Sequence, residues 1–238
     1  MSQHRRFFVD KITQPLEIDG EEFRHAIGVL RIKQNDTIIV CDGSGTEYLC
    51  NVDSIGKKSF SASVFDTRPS QTEAQTDVTL LVGYLKGDKT ELVVQKAVEL
   101  GLKRIVVFNS KFCSAYMNEN KLARLNKVSQ EASKQCGRAI APKVDYFDTF
   151  QQALQSVEHC KNKLFACEFA KENATDFATL QGSTAIVVGS EGGFSQQEND
   201  LAMQMGFSTV FLGKRILRAE TACISLCAIV MHRLGELQ

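Results

Sequence analysis

Gly189-Ser190-Glu191-Gly192-Gly193-Phe194-Ser195 follows directly on the apolar run Ala185-Ile186-Val187-Val188. Leu212-Gly213-Lys214-Arg215-Ile216-Leu217-Arg218-Ala219-Glu220-Thr221 follows in the same way on Thr209-Val210-Phe211. Each reads as a strand that stops at a glycine and hands over to a helix, the arrangement from which open α/β proteins build ligand crevices. The second loop mixes bare backbone, apolar side chains and arginines. Together the two loops point to a site for a flat, partly apolar ligand.

Working outward from these loops, strands alternate with helices. Residues 78–85, 104–108, 163–167, 184–188 and 209–212 have the apolar runs of strands, and residues 90–100, 121–136, 195–205 and 220–234 the periodicity of helices. That order predicts a mostly parallel sheet covered on both faces. The final helix is apolar nearly all round, which places it in a deep core or a subunit interface. The first seventy residues differ. Strands at 37–41, 48–55 and 59–65, tight turns at Asp42-Gly43-Ser44-Gly45 and Gly56-Lys57-Lys58, and a helix over 21–30 predict a small barrel or curled sheet. The polar stretch 68–77, with one of only three prolines, reads as a linker.

With 43% hydrophobic and 24% charged residues in 238, the chain has ordinary globular composition. Its net charge is zero, so a nucleic-acid partner would have to be met by a local basic patch. Eight cysteines include no CxxC pair and the four histidines are scattered, so no metal site is expected. Cys41, Cys50, Cys223 and Cys227 sit in apolar segments, as small hydrophobes do. The chain opens Met1-Ser2-Gln3-His4-Arg5-Arg6 without an apolar signal segment, and the stretch 219–230 is too short to span a bilayer. The expectation is a soluble, reduced, cytoplasmic protein with no membrane partner.

Each motif carries a plain structural reading as well. Ser195 with Glu198 fits a helix capping box, which is the favoured role of Glu198. Neither GxGxxG nor a P-loop pattern occurs, which argues against a dinucleotide or nucleoside triphosphate. No GxSxG elbow points to a serine hydrolase. In the second loop, Arg215 and Arg218 flank Ile216-Leu217. The apolar pair suits packing around a ring and the arginines suit an anion or a developing negative charge. The alternative is a buried loop in which Arg218 pairs with Glu220 or Glu191. Basic residues also cluster at Arg5-Arg6, Arg31 with Lys33, Lys57-Lys58 and Gln135-Cys136-Gly137-Arg138. Each alone is a solvated face; gathered together they would supply phosphate contacts.

The two loops resemble the signature of RsmE-type 16S ribosomal RNA uridine-N3 methyltransferases of the SPOUT superfamily. Further similar segments follow in the expected order: Arg5-Arg6-Phe7-Phe8, residues 25–31, Gln95-Lys96-Ala97-Val98-Glu99-Leu100-Gly101, and Glu131-Ala132 through Gln135-Cys136-Gly137-Arg138 to Pro142. The resemblance implies an α/β protein with an RNA-binding, PUA-like β-barrel over residues 1–72. It implies a SPOUT domain over 73–238 whose C-terminal segment threads a trefoil knot, binds S-adenosylmethionine and forms a homodimer. Cofactor contacts would fall to Gly189, Gly192, Gly193, Leu212, Gly213, Ile216 and Leu217. Catalysis would fall to Arg218 and Glu191, and contacts with 16S rRNA, in a small-subunit particle, to Arg5, Arg6, Arg31, Gln135 and Arg138. One departure stands out: Ser190 replaces the family's usual proline, which frees φ, adds a donor and predicts a looser loop or weaker cofactor binding. The rival readings are a SPOUT enzyme acting on another nucleotide or on ribose, and a non-catalytic RNA-binding module.

Overall fold

A computed structural model describes residues 5–167 and 177–237. Its chain contacts divide into two compact units, Met1–Glu73 with Gln130–Ala141, and Ala74–Ser129 with Pro142–Gln238.

The first unit is built on β1 (Arg5–Phe8), β2 (Leu16–Ile18), α1 (Gly20–Gly28), β3 (Thr37–Cys41), β4 (Thr46–Ile55) and β5 (Phe60–Pro69). The sheet order is β1-β3-β4-β5-β2, with β1 parallel to β3 and the other pairs antiparallel. All five strands send alternate side chains into one core: Phe7, Leu16 and Ile18, Ile38 and Val40, Cys50 and Val52, Phe60 and Ala62. A sheet whose strands share one interior in this way is curled, and Ala26 of α1 packs into the same core. The unit also takes in residues 130–141, which the expected boundary at 72/73 leaves with the other domain. Glu73 explains the attachment. Its Oε1 accepts the backbone N–H of Ala139 (2.8 Å) and Ile140 (3.0 Å), while its Oε2 accepts Nη2 of Arg138 at 2.8 Å. Ala139 then packs against Ile39 and Cys41.

The second unit contains β6 (Val78–Gly83), α2 (Lys89–Glu99), β7 (Arg104–Phe108), α3 (Glu119–Cys136), β8 (Lys143–Phe147), α4 (Phe150–Gln155), β9 (Asn162–Ala166), β10 (Thr184–Val188), α5 (Gln196–Gln204), β11 (Ser208–Val210) and α6 (Ala219–Arg233). The unit boundary falls inside α3, between residues 129 and 130. The six strands run in the order β11-β9-β10-β6-β7-β8, and every adjacent pair is parallel. Strands buried on both faces read as continuous apolar runs, and every residue of β6 and β10 is buried. On one face Phe150 and Leu154 of α4 and Ala202 of α5 pack with Leu81, Val106 and Val187. On the other, α6 lies against β6, β10 and α2. Helix α6 buries Cys223, Leu226, Cys227, Val230 and Met231, but Ile229 stays 37% exposed, as does Leu92 of α2 at 39%. All eight cysteines are free thiols, and burial pushes that of Cys227 up to about 12. Among the described residues no helix is long and apolar enough to cross a membrane.

Candidate active site

Strands β11, β9 and β10 lie side by side, and the chain that follows each of their carboxyl ends enters one cavity of about 690 Å³. Ala166 and Cys167 reach it after β9, Gly189 to Glu191 and Gly193 after β10, and Phe211 to Arg218 after β11. Ala219 and Ala222 of α6 and Lys89 of α2 complete the wall. This is the crevice that a parallel sheet offers beyond its strand ends.

Local sequence explains each loop. After β10, the N–H of Gly193 donates to the carbonyl of Ser190 at 3.0 Å, closing a tight turn. Phe194 then plugs the loop into the core, with ring centroids 4.5 Å from Phe165 and 5.2 Å from Phe150. Ser195 and Glu198 form the expected capping box and start α5. The other carboxylate oxygen of Glu198 accepts the N–H of Lys111 at 2.8 Å, tying in the loop that follows β7. The loop after β11 turns at Gly213, whose φ of +101° lies where side-chain-bearing residues are strained.

Of the seven residues expected to hold the cofactor, Gly189, Gly193, Leu212, Gly213, Ile216 and Leu217 line the cavity, and Gly192 does not. Gly192 serves close packing. A Cβ there would stand 2.6 Å from the Cβ of Phe112. Ser190, the departure from the family pattern, is 5% exposed, and its hydroxyl lies 3.3 Å from that of Ser110. The added polar group is therefore engaged within the fold.

Both expected catalytic residues line the cavity as well. Glu191 accepts from Lys89 Nζ at 3.0 Å and from the backbone N–H of Lys86 at 3.2 Å. Partial burial raises the Glu191 carboxyl, but the Lys89 and backbone hydrogen bonds outweigh it and hold the group below its usual range. Lys89 also faces Glu220 Oε2 at 3.8 Å, and that buried oxygen has no hydrogen-bond partner among the described residues. Arg218 is the N-cap residue of α6 but caps nothing with its side chain, and its guanidinium meets neither Glu191 nor Glu220. It is exposed at the cavity wall. The buried-loop alternative is not what forms.

The five residues expected to contact RNA all lie in the first unit, in two groups. Arg5 pairs with Asp36, whose carboxylate also accepts the backbone N–H of Lys33, two residues after Arg31. Arg6 approaches Gly137, next to Arg138. Arg31 and Gln135 are exposed. Arg6 and Arg138 are not available in the expected way. Their side chains are 8% and 3% exposed and are spent on Glu47 and Glu73, each at 2.8 Å.

A family model described as an RNA methyltransferase domain matches residues 72–231, and one described as an RNA methyltransferase PUA domain matches residues 18–65. The chain belongs to the RNA methyltransferase family. Its relatives include proteins named ribosomal RNA small subunit methyltransferase E. That of Bacillus subtilis is 30% identical over 247 residues, covering 96% of both chains, and that of Mesomycoplasma hyopneumoniae is 31% identical over 224 residues, covering 93% of this chain and 96% of its own. Among solved structures, the Neisseria gonorrhoeae enzyme of the same name, bound to S-adenosyl methionine, is 28% identical with a TM-score of 0.84, over 97% of this chain and 98% of its own. A Legionella pneumophila protein in complex with the bound cofactor SAM is 26% identical with a TM-score of 0.87, over 96% and 97%. The fold is thus a PUA-like unit joined to a SPOUT α/β unit.

Sequence reasoning missed Lys89, which lines this methyltransferase's cavity, and two residues that stand against the lining. Lys89 follows Gly87-Asp88 after β6, the same strand–glycine–helix signal as in the two loops that were singled out. Glu220 enters the sequence reading only as a partner for Arg218, whereas the structure sets its Oε2 3.8 Å from Lys89 Nζ. Gly83 could not have been found. A Cβ on it would lie 2.5 Å from the backbone nitrogen of Ser190, a contact created by pairing β6 with β10 a hundred residues later.

Proposed function

We propose that this methyltransferase transfers a methyl group from S-adenosylmethionine to N3 of a uridine in 16S rRNA of the small ribosomal subunit, acting in the cytoplasm as a homodimer. The observation that carries the reading is the cavity beyond β9, β10 and β11, walled by glycine backbone and apolar side chains with Arg218 at its edge. Its volume suits a ligand of nucleoside size. The residues present fit the cofactor: Gly189, Gly193 and Gly213 expose backbone, and Leu212, Ile216 and Leu217 offer apolar cover. When bound, the sulfonium supplies an activated methyl carbon, so the transfer needs no metal ion.

The chain's own residues must then deal with the uracil. N3 carries a proton and becomes a good nucleophile only as that proton passes to water at the open edge of the cavity, when charge spreads to the carbonyl oxygens. Arg218, free of any internal carboxylate, stabilises that charge. Glu191 holds the loop through Lys89 and Lys86; a carboxyl kept below its usual range is a weak base, so orientation is its role. Because N3 lies on the pairing edge, the target base must be unpaired when it enters. Arg31 and Gln135 contact RNA from the first unit, and the buried pairs of Arg6 and Arg138 hold that surface in shape. The half-exposed Leu92 and Ile229 supply apolar area for the dimer contact, and the trefoil knot implied by the resemblance belongs to this reading.

Calorimetric titration with S-adenosylmethionine tests it at its base. Binding at one site per chain is expected. An absence of uptake would favour the non-catalytic RNA-binding module instead.

A further inference from the structure

Two of the most exposed aromatic side chains lie on the loop after β7, beside the cavity but outside its wall. Phe112 is 47% exposed and Tyr116 74%. The loop is held against the rim of the site. Phe112 backs onto Gly192, Lys111 N–H donates to Glu198 at 2.8 Å, and the Ser110 hydroxyl meets that of Ser190 at 3.3 Å. Lys121 fixes the other end. Its Nζ donates to the Tyr116 carbonyl at 2.6 Å and sits 5.1 Å from the ring centre of Tyr84, which follows β6.

Three lysines belong to this loop or to the segments bonded to its surroundings: Lys111 within it, Lys121 at its far end, and Lys86, whose backbone N–H donates to Glu191. Among the described residues, the ammonium groups of Lys86, Lys111 and Lys121 meet no carboxylate; Lys111 reaches only the Gln197 amide oxygen at 3.5 Å. Exposed rings among uncompensated cations, in a chain of zero net charge, are the footprint of single-stranded nucleic acid: ring faces for bases, ammonium groups for phosphates.

We propose that Phe112 and Tyr116 form a stacking platform for the unpaired nucleotides next to the target uridine, with Lys86, Lys111 and Lys121 on their phosphates. The proposal rests on the rRNA methyltransferase reading and deepens it. A base drawn into the cavity leaves its neighbours without their stacking partner, and the two rings replace it at the rim.

The test uses a single-stranded RNA oligonucleotide carrying 2-aminopurine beside a uridine, and small-subunit rRNA as methyl acceptor. Phe112→Ala retains the Cβ that packs on Gly192. Phe112→Ala and Tyr116→Ala should each weaken oligonucleotide binding about tenfold, the scale of one lost base–ring stack, and should reduce the quenching of 2-aminopurine fluorescence. The KM for rRNA should rise while kcat and S-adenosylmethionine affinity stay near wild type, and Phe112→Trp and Tyr116→Phe should restore binding. Unchanged RNA affinity and quenching in the double alanine variant would overturn the proposal. So would a double variant that turns from dimer to monomer with RNA affinity per subunit intact. If the wild-type protein quenches the probe yet methylates no rRNA, the functional reading falls while the platform stands.

Discussion

At the residue scale, the site turns on which charges the fold has already spent. Arg218 has not been spent, and Arg218→Ala should lower methyl transfer by about 10²–10³-fold, the loss seen when one charge-stabilising donor is removed. Its S-adenosylmethionine affinity, by calorimetry, should stay near wild type. Arg6 is the opposite case. Its guanidinium is buried on Glu47, whose second oxygen accepts from Arg68 at 2.8 Å. Arg6→Ala should therefore destabilise the first unit by about 3 kcal/mol in urea unfolding, because Glu47 is left as a buried and only partly paired charge. The sequence shows that Arg5-Arg6 is basic, but it cannot show that Glu47, forty-one positions on, consumes one of the two charges. Glycines divide in the same way. Gly213 was legible as a strand stop, whereas Gly83 matters only because its strand is placed beside β10.

At the scale of elements, the capping box of α5 was legible because its donors and acceptors lie within four residues. Ser195→Ala should cost about 1 kcal/mol of stability, read as a lower midpoint of thermal unfolding by circular dichroism. The buried strands β3, β6, β7, β9 and β10 were legible as apolar runs. The strands that were not, β1, β2 and β8, are all sheet edges, three to five residues long. Their residues are fixed by partners distant in sequence: Arg5 to Phe8 pair with Ile38 to Cys41, and Leu16 to Ile18 with Phe60 to Ala62. A segment such as Lys-Val-Asp-Tyr-Phe has no periodicity strong enough to declare itself. Helix α4, six residues long, is too short to show an amphipathic pattern. The last helix was read as buried or interfacial, and it is buried along one side while Ile229 remains uncovered.

At the scale of the whole molecule, the described ion pairs set a response to acid. Glu47, Asp145 and Glu191 all lie below their ordinary values. In each, burial alone would raise the group, and hydrogen bonds from Arg6 and Arg68, from Lys143 and Arg104, and from Lys89 outweigh it. A carboxyl depressed in the folded state contributes stability that is fully present above its unfolded value and is lost as pH falls through the folded one. Stability should hold at neutral pH and decline below the ordinary glutamate value of 4.5. With no tryptophan in the chain, circular dichroism is the suitable probe. The division into two units was visible as a composition shift near residue 70. That residues 130–141 join the first unit was not, since the link is a single carboxylate, Glu73, reading two backbone N–H groups and Arg138. The central claim, methyl transfer to N3 of an rRNA uridine, is tested most directly by supplying labelled S-adenosylmethionine and small-subunit rRNA from cells lacking this activity, then identifying the labelled nucleoside by mass spectrometry. Label is expected in N3-methyluridine at one position. Label on a ribose or another base, or none at all, would contradict it.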